Sequence, residues 1–207
     1  MVSVASLANL ALYIIIFGVP PIITRLVGEM GITHEQAGLL MTATLLTYCL
    51  VSVVGGALSD KFGARPVVAA GLLLASTSGY LFTWTDSLPL MVTLRLLVGV
   101  GAACVFAPGL RFLLASLPKE ISGAGMSGYM VSINAGAAAP LLLTPLLVAA
   151  YGWHSLLQAY AIFGGLITVL FWWVAQEKPP SVQAPVSSSG AARAGGGGFW
   201  SVPLVMV

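Results

Sequence analysis

Six apolar runs divide the chain, at residues 4–23, 37–58, 66–84, 88–114, 123–149 and 156–175, with charged residues and turn formers collected between them. Each is close to the roughly 20 residues that carry a helix across about 30 Å of hydrocarbon. None alternates polar and apolar positions in the manner of a barrel strand, so the predicted spanning elements are helices. The first run is interrupted near its end by Gly18 and Pro20-Pro21, and a loop with Arg25, Glu29, His34 and Glu35 follows. The third begins at Pro66, a residue that the first turn of a helix accepts. In the tight turn Thr85-Asp86-Ser87, Asp86 or Ser87 is a candidate helix cap. The fourth run contains Pro108-Gly109, which predicts a kink, and Leu117-Pro118-Lys119-Glu120 ends it. Tyr151, Trp153, Trp172 and Trp173 fall near run ends, where aromatic rings favour the membrane interface.

After residue 175 the pattern stops. Residues 176–198 are mostly Pro, Ser, Ala and Gly and read as a flexible linker. Residues 199–207 are apolar again, but as a helix they reach only about 13 Å, so they read as the start of a seventh span. The organisation is therefore a six-helix domain at 1–175, a linker at 176–198 and an incomplete helix at 199–207, an all-α membrane protein. Composition agrees, with 58% hydrophobic and 7% charged residues in 207 against roughly 25% charged in soluble domains. A soluble enzyme is excluded, and a net charge of +2 offers no basic face for nucleic acid. Cys49 and Cys104 lie inside apolar runs without a CxxC or a histidine cluster, and read as two buried free thiols. No metal site or cofactor is expected. The first run lacks the basic lead of a signal peptide and reads as a retained helix.

Lys61, Arg65, Lys119, Lys178 and Arg193 fall on one side of the membrane in this count, whereas Arg25 is the basic loop residue on the other. By the positive-inside rule the first side is cytoplasmic, with the N-terminus and the linker, and the chain is a multi-pass protein of the cell (inner or plasma) membrane.

The stretch Gly55-Gly56-Ala57-Leu58-Ser59-Asp60-Lys61-Phe62-Gly63-Ala64-Arg65-Pro66 packs three charges between two apolar runs and reads as a short charged hinge. Gly56, Asp60, Lys61, Gly63 and Arg65 resemble the loop between the second and third helices of the major facilitator superfamily of secondary transporters, G-x-x-x-D-[RK]-x-G-R-[RK]. Ala64 replaces the first arginine of that pattern. Arg95-Leu96-Leu97-Val98-Gly99-Val100-Gly101-Ala102-Ala103 is similar to the family's fourth-helix pattern R-x-x-Q-G-x-G-A-A, with Val98 in place of glutamine. Six helices, a cytoplasmic linker and a new helix match the layout of the family's first half. The resemblance implies a small-molecule substrate bound between this half and a C-terminal six-helix half, or a second copy, and exposed to each side in turn.

Several side chains are candidates for that work. Arg95 is costly inside an apolar run unless it faces water or a partner, so it is expected to face an aqueous cavity, with backbone pairing as the alternative. Gly99, Ala102 and Phe106 share its face and leave room for a ligand or a crossing helix. Arg111 either snorkels to headgroups or pairs with Asp60 as a latch. On the fifth run Gly128, Ser132, Gly136 and Pro140 recur every four residues as a small-residue packing ridge, and Asn134 points away from it, toward the cavity or a neighbouring helix. The stripes Asn9, Tyr13, Phe17 and Thr44, Tyr48, Ser52, Gly56 each read as one face that lines a pathway or satisfies local carbonyls.

All six acids lie in loops or at helix ends. Proton-coupled antiporters for cationic drugs usually need an intramembrane carboxylate, whereas a lone buried arginine suits an anion, as in the family's cyanate and nitrate permease-like members. The expectation is transport of a small organic or inorganic anion by alternating access. The alternatives are half of a drug efflux antiporter, or a truncated, non-transporting membrane protein with a structural or regulatory role. Gly136-Ala137-Ala138-Ala139-Pro140 lacks the adjacent Gly-Pro pair that the family's drug antiporters carry on this helix.

Overall fold

A computed structural model of the chain describes residues 2–117 and 122–175. The expected linker at 176–198, the helix start at 199–207 and the basic residues Lys119, Lys178 and Arg193 lie outside the described residues. Among the described residues the elements in order are α1 (Val2–Phe17), a 3-10 turn (Pro20–Ile22), α2 (Ile23–Met30), α3 (His34–Phe62), α4 (Ala64–Phe82), α5 (Leu88–Ala115), α6 (Ser122–Tyr151) and α7 (Trp153–Val174).

The first crossing is longer than its apolar run. It extends through Val4–Met30, because Pro20 and Pro21 turn the chain through a 3-10 segment and α2 then resumes it. Arg25 and Glu29, expected in a loop, are exposed on α2, whose other side buries Leu26. α3 also outruns its apolar stretch at both ends. A capping box starts it, with Thr33 Oγ1 accepting from the Gln36 amide at 3.2 Å and the Thr33 amide donating to Gln36 Oε1 at 3.0 Å. At the far end Asp60 and Lys61 are still helical, and Lys61 in the last turn suits the negative end of the helix dipole. The charged hinge is thus a single residue, Gly63, whose φ of 89° and ψ of 156° no other residue type adopts cheaply. Ser87 holds the cap position of α5 with extended backbone but makes no side-chain capping bond.

α5 carries Pro108 inside it and α6 carries Pro140 and Pro145. The first crossing, α3, α5, α6 and α7 are long and apolar enough to span a membrane. α4, at 19 residues, completes the six-helix bundle. It is less apolar because Arg65 and Pro66 open it and Ser76-Thr77-Ser78-Gly79 sits in its second half.

Since lipid tails are as apolar as leucine, close backbone approach rather than burial from water must hold such helices together. α5 is the centre of this packing, against α3 on one side and α4 on the other, while α1 packs on α6 and α7, and α4 on α7. A Cβ on Gly101 would sit 2.5 Å from the Gly71 carbonyl oxygen, and one on Gly71 would sit 2.7 Å from that of Gly101. On the other side of α5, a side chain at Gly99 would collide with the Thr44 carbonyl, and one at Gly55 with that of Ala103. The space beside Gly99 is therefore filled by a crossing helix.

The candidate cavity, its aromatic wall and the charged end

Four aromatic rings from α1, α3 and α5 pack against the bundle core without being fully buried. Tyr13 and Phe17 stack nearly parallel with centroids 6.1 Å apart, and Tyr48 and Phe106 meet edge to face at 6.3 Å. The Tyr13 and Tyr48 side chains interact across the α1–α3 gap. Beside them lies an open hollow of about 420 Å³ lined by Tyr48, Cys49, Ser52 and the largely exposed Val53 of α3 and by Phe106 and Ala107 of α5. That volume suits a small organic molecule. Its polar equipment is sparse: the Ser52 hydroxyl donates to the Cys49 carbonyl at 2.7 Å and the Tyr48 hydroxyl is engaged with Tyr13, which leaves the Cys49 thiol. Cys49 is exposed and Cys104 half-buried, so neither is the buried thiol expected of it.

Arg95 does not open onto this cavity. It is 2% exposed, its guanidinium lies 4.4 Å from the Phe82 ring centroid, and Nη1 donates to the Ile15 carbonyl at 3.4 Å. Its Nε has no hydrogen-bond partner, and among the described residues no carboxylate is paired with it. The expected aqueous neighbour is replaced by backbone and an aromatic face, because α1 and α4 close over residue 95 from both sides.

Asn9 is likewise sealed, fully buried in the α1–α6 interface with Nδ2 donating to Ser132 Oγ at 3.4 Å. Asn134 is exposed and spends its Nδ2 on the Met130 carbonyl of its own helix at 2.9 Å, not on a neighbouring helix. Ser132, Gly136 and Pro140 are buried on α6, and a Cβ on Gly136 would sit 2.6 Å from the Leu10 carbonyl oxygen. Gly128 is not part of this ridge: it is exposed, with open space where its Cβ would be. The buried set on α6 is Gly125, Tyr129, Ser132, Gly136, Pro140, Thr144 and Val148.

Asp60 and Arg111 form an ion pair between the ends of α3 and α5, with Arg111 Nη1 also reaching Ser59 Oγ at 3.4 Å. Nearby on the same end of the bundle, Arg65 donates to the Trp172 carbonyl and lies 4.6 Å from the centroid of that ring, which ties α4 to α7. Lys61 Nζ stands 5.3 Å from the Phe62 ring, and Gly56 leaves open space. At the opposite end Trp153 Nε1 donates to Glu29 Oε2 at 2.6 Å. The Arg65–Trp172 and Glu29–Trp153 pairs were not expected from the sequence, although tryptophans at run ends were its signal.

The Major Facilitator Superfamily pattern matches residues 5–206, and the chain belongs to that family. It is therefore a multi-pass membrane protein. It is 31% identical over 117 residues to the quinolone resistance protein NorA of Staphylococcus aureus, covering 56% of this chain and 30% of NorA. It is 25% identical over 170 residues to the inner membrane transport protein YnfM of Escherichia coli, covering 82% of this chain and 41% of YnfM. The chain thus spans less than half the length of either relative. Its fold matches the inward-open xylose transporter XylE of E. coli with a TM-score of 0.75 at 18% identity, over 86% of this chain and 48% of XylE. The POT family transporter PepTSo matches at 0.72 and 16% identity, over 86% of this chain and 39% of PepTSo.

Proposed function

We propose that this chain forms one half of a secondary transporter that carries a small, aromatic or largely apolar organic solute across the cell membrane by alternating access. The carrying observation is the hollow itself, lined by Tyr48, Phe106 and Val53, in which both hydroxyls are already engaged and one thiol remains. Aromatic faces bind flat apolar groups and organic cations, and such a wall offers little to a hydrated inorganic anion. An anionic solute needs Arg95 in the cavity, and the burial of that guanidinium between Ile15 and Phe82 weighs against it. The similarity to a quinolone resistance protein points the same way.

A C-terminal six-helix half, or a second copy, would complete the enclosure. The Asp60–Arg111 pair serves as the latch of the access change, and its end of the bundle is cytoplasmic. Three basic residues and one acid stand there among the described residues, against one basic residue and three acids at the other end.

Counterflow in proteoliposomes tests the reading, with an aromatic cation, an aromatic carboxylate and nitrate offered in parallel to a complete transporter carrying this half. Saturable movement of the aromatic solutes, absent for nitrate, is expected. Movement of nitrate alone would return the assignment to a small anion, and movement of none would leave a structural or regulatory membrane partner.

A further inference from the structure

Tyr129 of α6 is the largest fully buried side chain among the described residues. Its hydroxyl crosses to α5 and donates to the Phe106 carbonyl at 2.8 Å, and its ring lies 6.2 Å from that of Phe106. α5 and α6 otherwise touch sparsely, so this is a principal bridge between them. Gly109 makes room for it, since a Cβ there would sit 2.8 Å from the Tyr129 hydroxyl oxygen.

The bond falls on a weakened part of α5. Pro108 has no N–H to give the Cys104 carbonyl, and its ring presses on that same turn, so residues 104–108 are the part of α5 least restrained by its own helix. Phe106 and Ala107, which line the cavity, stand on that turn. A phenylalanine at 129 would fill the apolar space equally well. The hydroxyl adds a tether to the backbone of one wall residue, and that residue holds Tyr48 edge-on from the far side of the cavity opening.

We infer that Tyr129 is a positioning residue for the solute cavity: its hydroxyl sets where the Phe106 ring stands against Tyr48, and so fixes the shape of the wall that selects the solute. The inference rests on the aromatic-solute reading for what the cavity selects, but not for the geometry. Cys49, in the same lining, reports the geometry with no solute present.

The test uses the full chain in liposomes with Cys104→Ala, which leaves Cys49 as the one thiol of the two in the sequence. Two quantities are read: the rate of Cys49 modification by a membrane-permeant maleimide, and the affinity for a fluorescent aromatic cation. Tyr129→Phe is expected to raise the Cys49 rate about threefold and to weaken the affinity about fivefold, as loss of one buried hydrogen bond implies, while the thermal midpoint moves little. Gly109→Ala, which displaces the hydroxyl from the other side, should reproduce both changes, and the double variant should add nothing further. If Tyr129→Phe does not fold, Gly109→Ala carries the test. Unchanged Cys49 rates in the folded variants would overturn the inference. Rates that rise while even the Tyr129 protein binds no aromatic cation would support the positioning and overturn the solute reading instead.

Discussion

Replacing Arg95 by methionine separates a packing role from a substrate role. Holding a charged arginine at the centre of a membrane helix costs about 3 kcal/mol on insertion scales. Against this, the guanidinium lies over Phe82 at 4.4 Å, an interaction worth about 2 kcal/mol when desolvated. It also donates one bond to Ile15 at 3.4 Å, long enough to fall near the low end, about 1 kcal/mol. The opposing magnitudes nearly cancel, and Nε has no partner to lose. Arg95→Met, which keeps most of the volume, is therefore expected to stay within about 1 kcal/mol of the parent, as exchanges of poorly compensated buried charges often do. Arg95→Ala should cost about 2–4 kcal/mol because it empties space between α1, α4 and α5. The assay is thermal unfolding in detergent together with binding of an aromatic solute, which Arg95→Met should retain. A folded Arg95→Met protein that has lost binding would refute the reasoning, since it would mean that the guanidinium reaches the solute in another conformation.

Further expectations concern packing, the latch and sidedness. Gly136→Ala should destabilise the bundle by about 1–3 kcal/mol, since the Leu10 backbone cannot yield, whereas Gly128→Ala should be neutral or stabilise by up to about 1 kcal/mol; melting curves of the two variants decide. Asp60→Asn should change stability by less than about 1 kcal/mol, because the side chains of the pair are 58% and 59% exposed, yet it should shift the inward and outward populations of a complete transporter in spectroscopic distance measurements. Equal populations in both forms would reduce the pair to a solvated contact. With the native cysteines replaced, Lys61→Cys should react with an impermeant reagent from the cytoplasmic side only and Asp86→Cys from the outside only; the reverse pattern would invert the assigned orientation.

The number of crossings and their approximate places were legible because hydrocarbon thickness dictates run length. The ends were less so. α3 starts at a Thr33–Gln36 box and runs on through Asp60 and Lys61, since charges at a membrane surface need not interrupt a helix and only Gly63 does. The α3 stripe divides between its two expected roles for a geometric reason. Thr44, Tyr48, Ser52 and Gly56 rotate by about 40° per step, so Thr44 is buried with its hydroxyl on the Arg95 carbonyl while Tyr48 and Ser52 line the cavity. On α6, Gly128 is outside the ridge because no neighbouring helix lies within 4 Å of where its Cβ would be. Arg95 was legible as a buried cation but not its neighbours, because a carbonyl on α1 and a ring on α4 are distant in sequence. Tyr129 left no signal, as a single tyrosine in an apolar run does not announce which carbonyl its hydroxyl will meet.

The claim that the space beside Tyr48 and Phe106 is the solute site is tested most directly by protection of Cys49 in the Cys104→Ala protein. The rate of Cys49 modification by a maleimide is followed as an aromatic solute is added, with the solute's partition into lipid controlled by protein-free vesicles. Saturable protection is predicted, with a midpoint equal to the measured dissociation constant and shifted about tenfold higher or more in Phe106→Ala. A modification rate that stays constant through saturating solute, or a midpoint indifferent to Phe106, would contradict the assignment of this cavity as the site.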